Sequence, residues 1–238
     1  MIELVGFDGD DTLWHSEGYY HEAHAAFERI VGRYVDLADA RSHERLLAIQ
    51  RDNLATFGYG AKGMTLSMIE AAIEISGGRI DAADVQQLVA LGKQVLAHPV
   101  ELLPGVREAV TAVAARHRVV LITKGDLLHQ ERKVACSGLA DLFQRIEIVS
   151  EKDPATYLRV LRECAVAPAQ FVMIGNSLRS DIAPVVRLGG WGVHLPYPLL
   201  WAHERETDFD ARHARMIEAA DASGIPAAIE TLRQRAAA

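Results

Sequence analysis

Hydrophobic positions along the chain cluster into five short runs, at residues 2–7, 119–122, 146–149, 171–174 and 191–195. None alternates cleanly with polar residues, the pattern of strands buried on both faces. From residue 104 onward, helix-like segments separate them. Residues 104–117 open with Pro-Gly and place Val106, Val110, Val113 and Ala114 at helical spacing. Residues 126–137 begin at the capping residue Asp126 and stop at Gly138. Residues 153–164 carry Asp153 then Pro154 at the first turn, and residues 180–188 end at Gly189-Gly190. Strands alternating with such helices predict an α/β fold built on a doubly wound, parallel, Rossmann-like sheet.

One interval breaks the rhythm. Between the first run and Leu103 the sequence reads instead as four amphipathic helices, over 17–31, 41–57, 64–75 and 82–96. An insertion of about eighty residues is large enough to be a subdomain. The predicted organisation is therefore a core of 1–16 and 100–238, with a helical insert at 17–99. Residues 197–215 read as a polar connection with Trp191 and Trp201 as anchors. An edge strand at 216–220 and a last helix from 226 are expected to follow.

Composition narrows the function classes. The chain has 238 residues, 50% hydrophobic and 24% charged, an ordinary globular balance. That length buries a core without disulfides or structural metal. With 25 basic and 32 acidic residues the net charge is −7, and no long Lys/Arg run is present. Nucleic acid and anionic membranes are thus not expected as partners, whereas small phosphorylated molecules are compatible. Residues 1–8 have no basic n-region and no cleavage site, and no run reaches the ~20 apolar residues of a spanning helix, so a cytoplasmic location is expected. Cys136 and Cys164 lack zinc-ligand spacing and read as small buried hydrophobes.

The chemistry lies at the strand ends. Phe7-Asp8-Gly9-Asp10-Asp11-Thr12 directly follows the first strand. A calcium loop starting at Asp8 would need Gly at position 13 and Glu at position 19, where the chain has Leu13 and Tyr19. A plain acidic turn is the simplest alternative. Ligands of open α/β sheets bind at the carboxyl ends of the strands, however, where these acids lie. The next ends bring Thr123-Lys124-Gly125, then Ser150-Glu151-Lys152-Asp153, then Gly175-Asn176-Ser177-Leu178-Arg179-Ser180-Asp181. Acids, then a hydroxyl, then an ammonium, then Asn and Asp arrive in order at one edge.

This ordered set resembles the haloacid dehalogenase-like (HAD) hydrolase superfamily. Residues 8–12 look like its DxDxT motif, Thr123 its strand-end Thr/Ser, Lys152 its basic residue and 175–181 its last acidic motif. The helical insert matches a cap between the first and second motifs. The resemblance implies Asp8 as nucleophile and Asp10 as general acid/base. It implies that Thr123 and Lys152 hold the phosphoryl group and that Mg²⁺ is held by Asp8, the Asp10 carbonyl and Asp181, with Asn176 beside them. Thr12, Lys124, Gly125, Trp14, His15 and Lys62 complete the expected substrate contacts. Dehalogenating members lack the second Asp, so Asp10 favours phosphoryl chemistry. The expected activity is a Mg²⁺-dependent phosphatase acting on a small phosphorylated metabolite.

Two departures from the family pattern stand out. Asn176 takes a place often held by Asp, bringing an amide oxygen without charge. Lys133 is an alternative basic residue, although its mid-helix position reads as a solvated surface lysine. Residues 58–63 formally fit GxGxxG, but they join two helices rather than a strand and a helix, which argues against a dinucleotide site. They read instead as a loop carrying Lys62. His21 and His24 have helical metal-ligand spacing without a third ligand. Competing readings are a phosphotransferase or mutase of the same superfamily, and a phospho-accepting receiver-like module. Receivers place their Asp on an inner strand and carry no large helical insertion.

Overall fold

The structure is a computed structural model that describes residues 1–199, 201–204, 206, 208–210 and 212–237. The chain divides into two compact units, Met1–Glu17 with Val100–Ala238, and Gly18–Pro99.

The first unit is built on strands β1 (Leu4–Phe7), β2 (Arg118–Lys124), β3 (Arg145–Val149), β4 (Phe171–Gly175), β5 (Trp191–His194) and β6 (Met216–Glu218). All pair in parallel in the order β3-β2-β1-β4-β5-β6. Each apolar run divides its side chains between two cores by the strand period of two. Val5, Phe7, Leu121 and Ile174 face one core, while Leu4, Val120, Ile122 and Met173 face the other. Each fully buried Val, Leu or Phe there contributes roughly 1.5–3 kcal/mol. Although first in the chain, β1 is an inner strand between β2 and β4, so strand position does not separate this protein from a receiver. The insertion after β1 does.

The second unit contains most of α1 (Glu17–Val31), then α2 (Ser42–Phe57), α3 (Ala61–Ile75) and α4 (Ala82–Ala97). Phe27, Leu46, Met68 and Leu88 form its own core. Residues 61–63 are the first turn of α3, so Lys62 sits on a helix rather than on the expected loop.

The remaining helices are α5 (Val106–Ala114), α6 (Leu127–Ser137), α7 (Pro154–Glu163), α8 (Ala183–Arg187) and α9 (Ile225–Arg235). α5 and α9 pack on one sheet face and α7 on the other. Asp126 caps α6 by accepting from His129 N at 3.0 Å, and Gly138 ends it in the left-handed conformation at φ 65°. Asp153 caps α7 from Thr156 N at 2.7 Å, with Pro154 in the first turn. The expected helix over 180–188 starts instead as a π turn at Leu178–Ile182 before α8. Cys164 is buried as expected, but Cys136 is exposed, because it lies on the outer face of α6. Among the described residues no helix is long and apolar enough to cross a membrane.

Candidate active site

The carboxyl ends of β1, β3 and β4 meet on one ammonium. Asp8 follows β1, with its N–H bonded to Ile174 O at 2.9 Å. The buried Lys152, after β3, donates to the Asp8 carboxylate and to Asp181 Oδ1, the latter at 2.7 Å. Burial pushes both carboxyls up, against the pull of Lys152, whereas the two acids hold Lys152 firmly in its charged form. Asp181 is fixed by Ser177 N–H at 3.0 Å. A Cβ on Gly175 would overlap its carboxyl, so only glycine allows the loop to approach this closely. Thr12 Oγ1 accepts from Asn176 N and donates to Asp8 Oδ2, both at 3.0 Å. Among the described residues, the buried Thr123 Oγ1 has no hydrogen-bond partner; it lies 3.1 Å from where a Cβ on Gly9 would be. An orphaned buried hydroxyl next to Gly9, the residue after Asp8, is suited to receive a ligand oxygen.

Asp10 lies in a different set of bonds. Lys133 Nζ reaches its two oxygens at 2.7 and 2.9 Å, Gln130 Nε2 donates at 2.9 Å and Trp14 Nε1 at 2.6 Å. Burial acts to raise the Asp10 carboxyl, but the Lys133 charge and these hydrogen bonds outweigh it and hold the group below its ordinary value. Lys133 is therefore buried and paired, not solvated as expected. Trp14 is buried and acts as a donor on Asp10. Asp11, at φ 59°, turns the chain out of the sheet and accepts from Ser16 N and Glu17 N. Burial raises Asp11 to about 7 and Glu17 to about 8, with nearby acids adding to both.

The other expected residues scatter. Lys124 turns to Glu204 Oε1 at 2.5 Å and Ser180 Oγ at 2.9 Å, while Gly125 packs beside Gln130. His15 Nδ1 pairs with Tyr197 OH at 2.8 Å. Lys62 is exposed and belongs to the helical unit. His24 accepts from Gln50 Nε2 at 2.9 Å. His194, for which the sequence suggested no role, bridges Glu218 and the Asn176 carbonyl. Gln130 and Glu204 were absent from the sequence reading. For Gln130 the available signal was its spacing of three from Lys133 on a helix beginning at a strand end. Glu204 offered none.

The oxygen donors fit a hard cation. Asp8 and Asp181 share a single ammonium in a buried site, which leaves negative charge uncompensated, and Asn176 adds a neutral oxygen. One or two carboxylates with neutral oxygens suit Mg²⁺. The Asp10 carboxylate stands apart on Lys133, and among the described residues no three His, Cys, Asp or Glu side chains form a metal cage.

An inner-strand Asp thus faces a Lys and an Asp from later strands of a parallel α/β sheet. The family model for haloacid dehalogenase-like hydrolases matches residues 2–189, and the chain belongs to that family. A haloacid dehalogenase-like family hydrolase from Xanthomonas campestris is 56% identical over 99% of this chain and 94% of its own, with TM-score 0.89. A 2-haloacid dehalogenase from Pseudomonas syringae pv. tomato is 23% identical over 97% of this chain and 99% of its own, with TM-score 0.63. A predicted phosphoglycolate phosphatase from Haemophilus somnus is 17% identical over 95% and 97%, with TM-score 0.63. Among curated proteins, none matches.

Proposed function

We propose that this hydrolase is a Mg²⁺-dependent phosphatase that cleaves a small phosphorylated metabolite through an aspartyl-phosphate. The observation that carries the reading is the second carboxylate, Asp10, present and held by Lys133, Gln130 and Trp14 beside the Asp8 site. Carbon–halogen cleavage by an aspartate has no leaving alkoxide to protonate, whereas phosphate-ester cleavage has one.

Asp8 attacks phosphorus, the bond from phosphorus to the ester oxygen breaks, and Asp10 gives that oxygen a proton. Water then attacks the phosphoryl group while Asp10 takes its proton. The bond from Asp8 to phosphorus breaks, and phosphate leaves. Lys133, Gln130 and Trp14 hold Asp10 ionised in the free enzyme, so the proton it delivers comes in on the phosphate monoester and the proton it takes from water leaves on the product phosphate. Acid–base help of this kind is worth about 10²–10⁴-fold. Lys152 and the Thr123 hydroxyl hold the phosphoryl oxygens. Mg²⁺, bound by Asp8, Asp181, Asn176 and the Asp10 carbonyl, would supply charge that offsets repulsion between carboxylate and phosphate.

A screen of phosphorylated metabolites and an aryl phosphate with Mg²⁺, run beside 2-haloacids, tests this. Release of phosphate is expected. Halide release without phosphate release would overturn the reading.

A further inference from the structure

We infer that α6 supplies two positioning residues, Gln130 and Lys133, that aim the Asp10 carboxylate for the hydrolysis of the aspartyl-phosphate. The inference rests on the phosphatase reading above and adds a role for residues outside the strand-end motifs.

Alongside the buried Val134 and the exposed Glu131 and Arg132, α6 carries four residues that reverse the usual pattern of a surface helix. Leu127 and Leu128 are 59% and 67% exposed, whereas Gln130 and Lys133 are 2% and 7% exposed. Residues three apart share a helix face, and here that shared face is polar and turned inward. Burying an ammonium is costly unless it is paired and hydrogen-bonded, and such pairs are poor sources of stability compared with apolar packing. Both groups end on the same carboxylate. Lys133 Nζ spans the two Asp10 oxygens at 2.7 and 2.9 Å and reaches Ser16 Oγ at 3.2 Å. Gln130 Nε2 donates to Asp10 Oδ2 at 2.9 Å and to the Lys124 carbonyl at 3.2 Å. Both partners of that amide nitrogen are acceptors, which fixes the amide orientation. With Trp14 on the other oxygen, the Asp10 side chain is held from β1's own turn and from α6 at once. Each Asp10 oxygen accepts two of these hydrogen bonds, so Asp10 meets water in one orientation, as one of the donors gives way, and small misplacements of such a group cost about 10²-fold.

The two halves of the reaction separate the role. An aryl phosphate has a leaving group that needs no proton, so its first step needs Asp8 but tolerates a poorly aimed Asp10. Stopped-flow hydrolysis of p-nitrophenyl phosphate with Mg²⁺ therefore distinguishes them. For Lys133→Met we expect a burst of nitrophenol equal to the enzyme concentration, then a steady state about 100-fold slower than wild type. Acid quench should trap the phosphoenzyme. Lys133→Arg should recover to within about ten-fold, and Gln130→Leu should show the same burst with about ten-fold slowing. If Lys133→Met fails to melt cooperatively, Gln130→Leu decides. Burst and steady state falling together, or an unchanged steady state, would overturn the positioning role. A wild-type protein that releases no nitrophenol would instead overturn the phosphatase reading.

Discussion

Lys124, at the end of β2, and Glu204, in the short turn Ala202–Glu204, meet at 2.5 Å across 80 residues of sequence. The other Glu204 oxygen takes the Ser177 and Ser180 hydroxyls, each at 2.5 Å. The connection after β5 is thereby tied to the loop that carries Asp181. Burial acts to raise Glu204, but the Lys124 charge and these bonds bring it down to about 2 from 4.5. A depressed carboxyl contributes stability that is present above pH 4.5 and lost as pH falls toward about 2. Glu204→Gln should cost about 2–3 kcal/mol at pH 7 and progressively less toward pH 3. Urea unfolding of both proteins across that range checks this, and a pH-independent difference would argue against the pair.

Buried Asp8 and Asp181 share one ammonium, so a divalent cation should stabilise the folded state. Protein treated with EDTA should lose phosphatase activity and regain it with Mg²⁺. Its melting temperature should rise with Mg²⁺ concentration as binding to the native state requires. Asp181→Asn should flatten that rise.

On the phosphatase reading, Asp8 forms the phosphoenzyme. Asp8→Asn should abolish turnover and leave no acid-stable phosphoprotein after quench, with folding retained on circular dichroism. Asp10→Asn should still form the phosphoprotein from an aryl phosphate while slowing its breakdown by about 10²-fold or more.

Gly175 lies where any side chain meets the Asp181 carboxyl. Gly175→Ala should shift that carboxyl and cost about 1–3 kcal/mol of overpacking. Activity should fall by at least about 100-fold at saturating Mg²⁺, because the carboxyl keeps its charge but loses its position. Thermal melts and kcat measured together would distinguish this from simple unfolding.

In the helical unit, burial and the neighbouring His43 and His21 lower His24 to about 4 from 6.5. Its Nε2 accepts from Gln50, which requires the neutral ring. The neutral ring's share of stability is present above pH 6.5 and lost as pH falls toward about 4. Protection factors of α1 and α2 amides, corrected for the intrinsic pH dependence of exchange, should fall across that window. The pH dependence should vanish in His24→Leu.

The strand runs and the order of chemistry at their ends were legible in the primary structure for a local reason. A parallel strand buried on both faces must be continuously apolar, and the residue after it must lie at the edge where ligands bind. Asp8, Thr123, Lys152 and Asp181 could therefore be picked out one by one. The helical insertion was legible in the same way, from its 3.6-residue period. Only the tertiary structure decided which acid each lysine serves. Lys133 reaches Asp10 across 123 residues and Lys152 reaches Asp8 across 144, and no local pattern encodes such pairings. Periodicity also misleads on α6, where the exposed leucines mark the outer face and a buried glutamine and lysine the inner one. A helix face turns inward wherever its bonding groups find partners, and on α6 those partners are the two oxygens of Asp10.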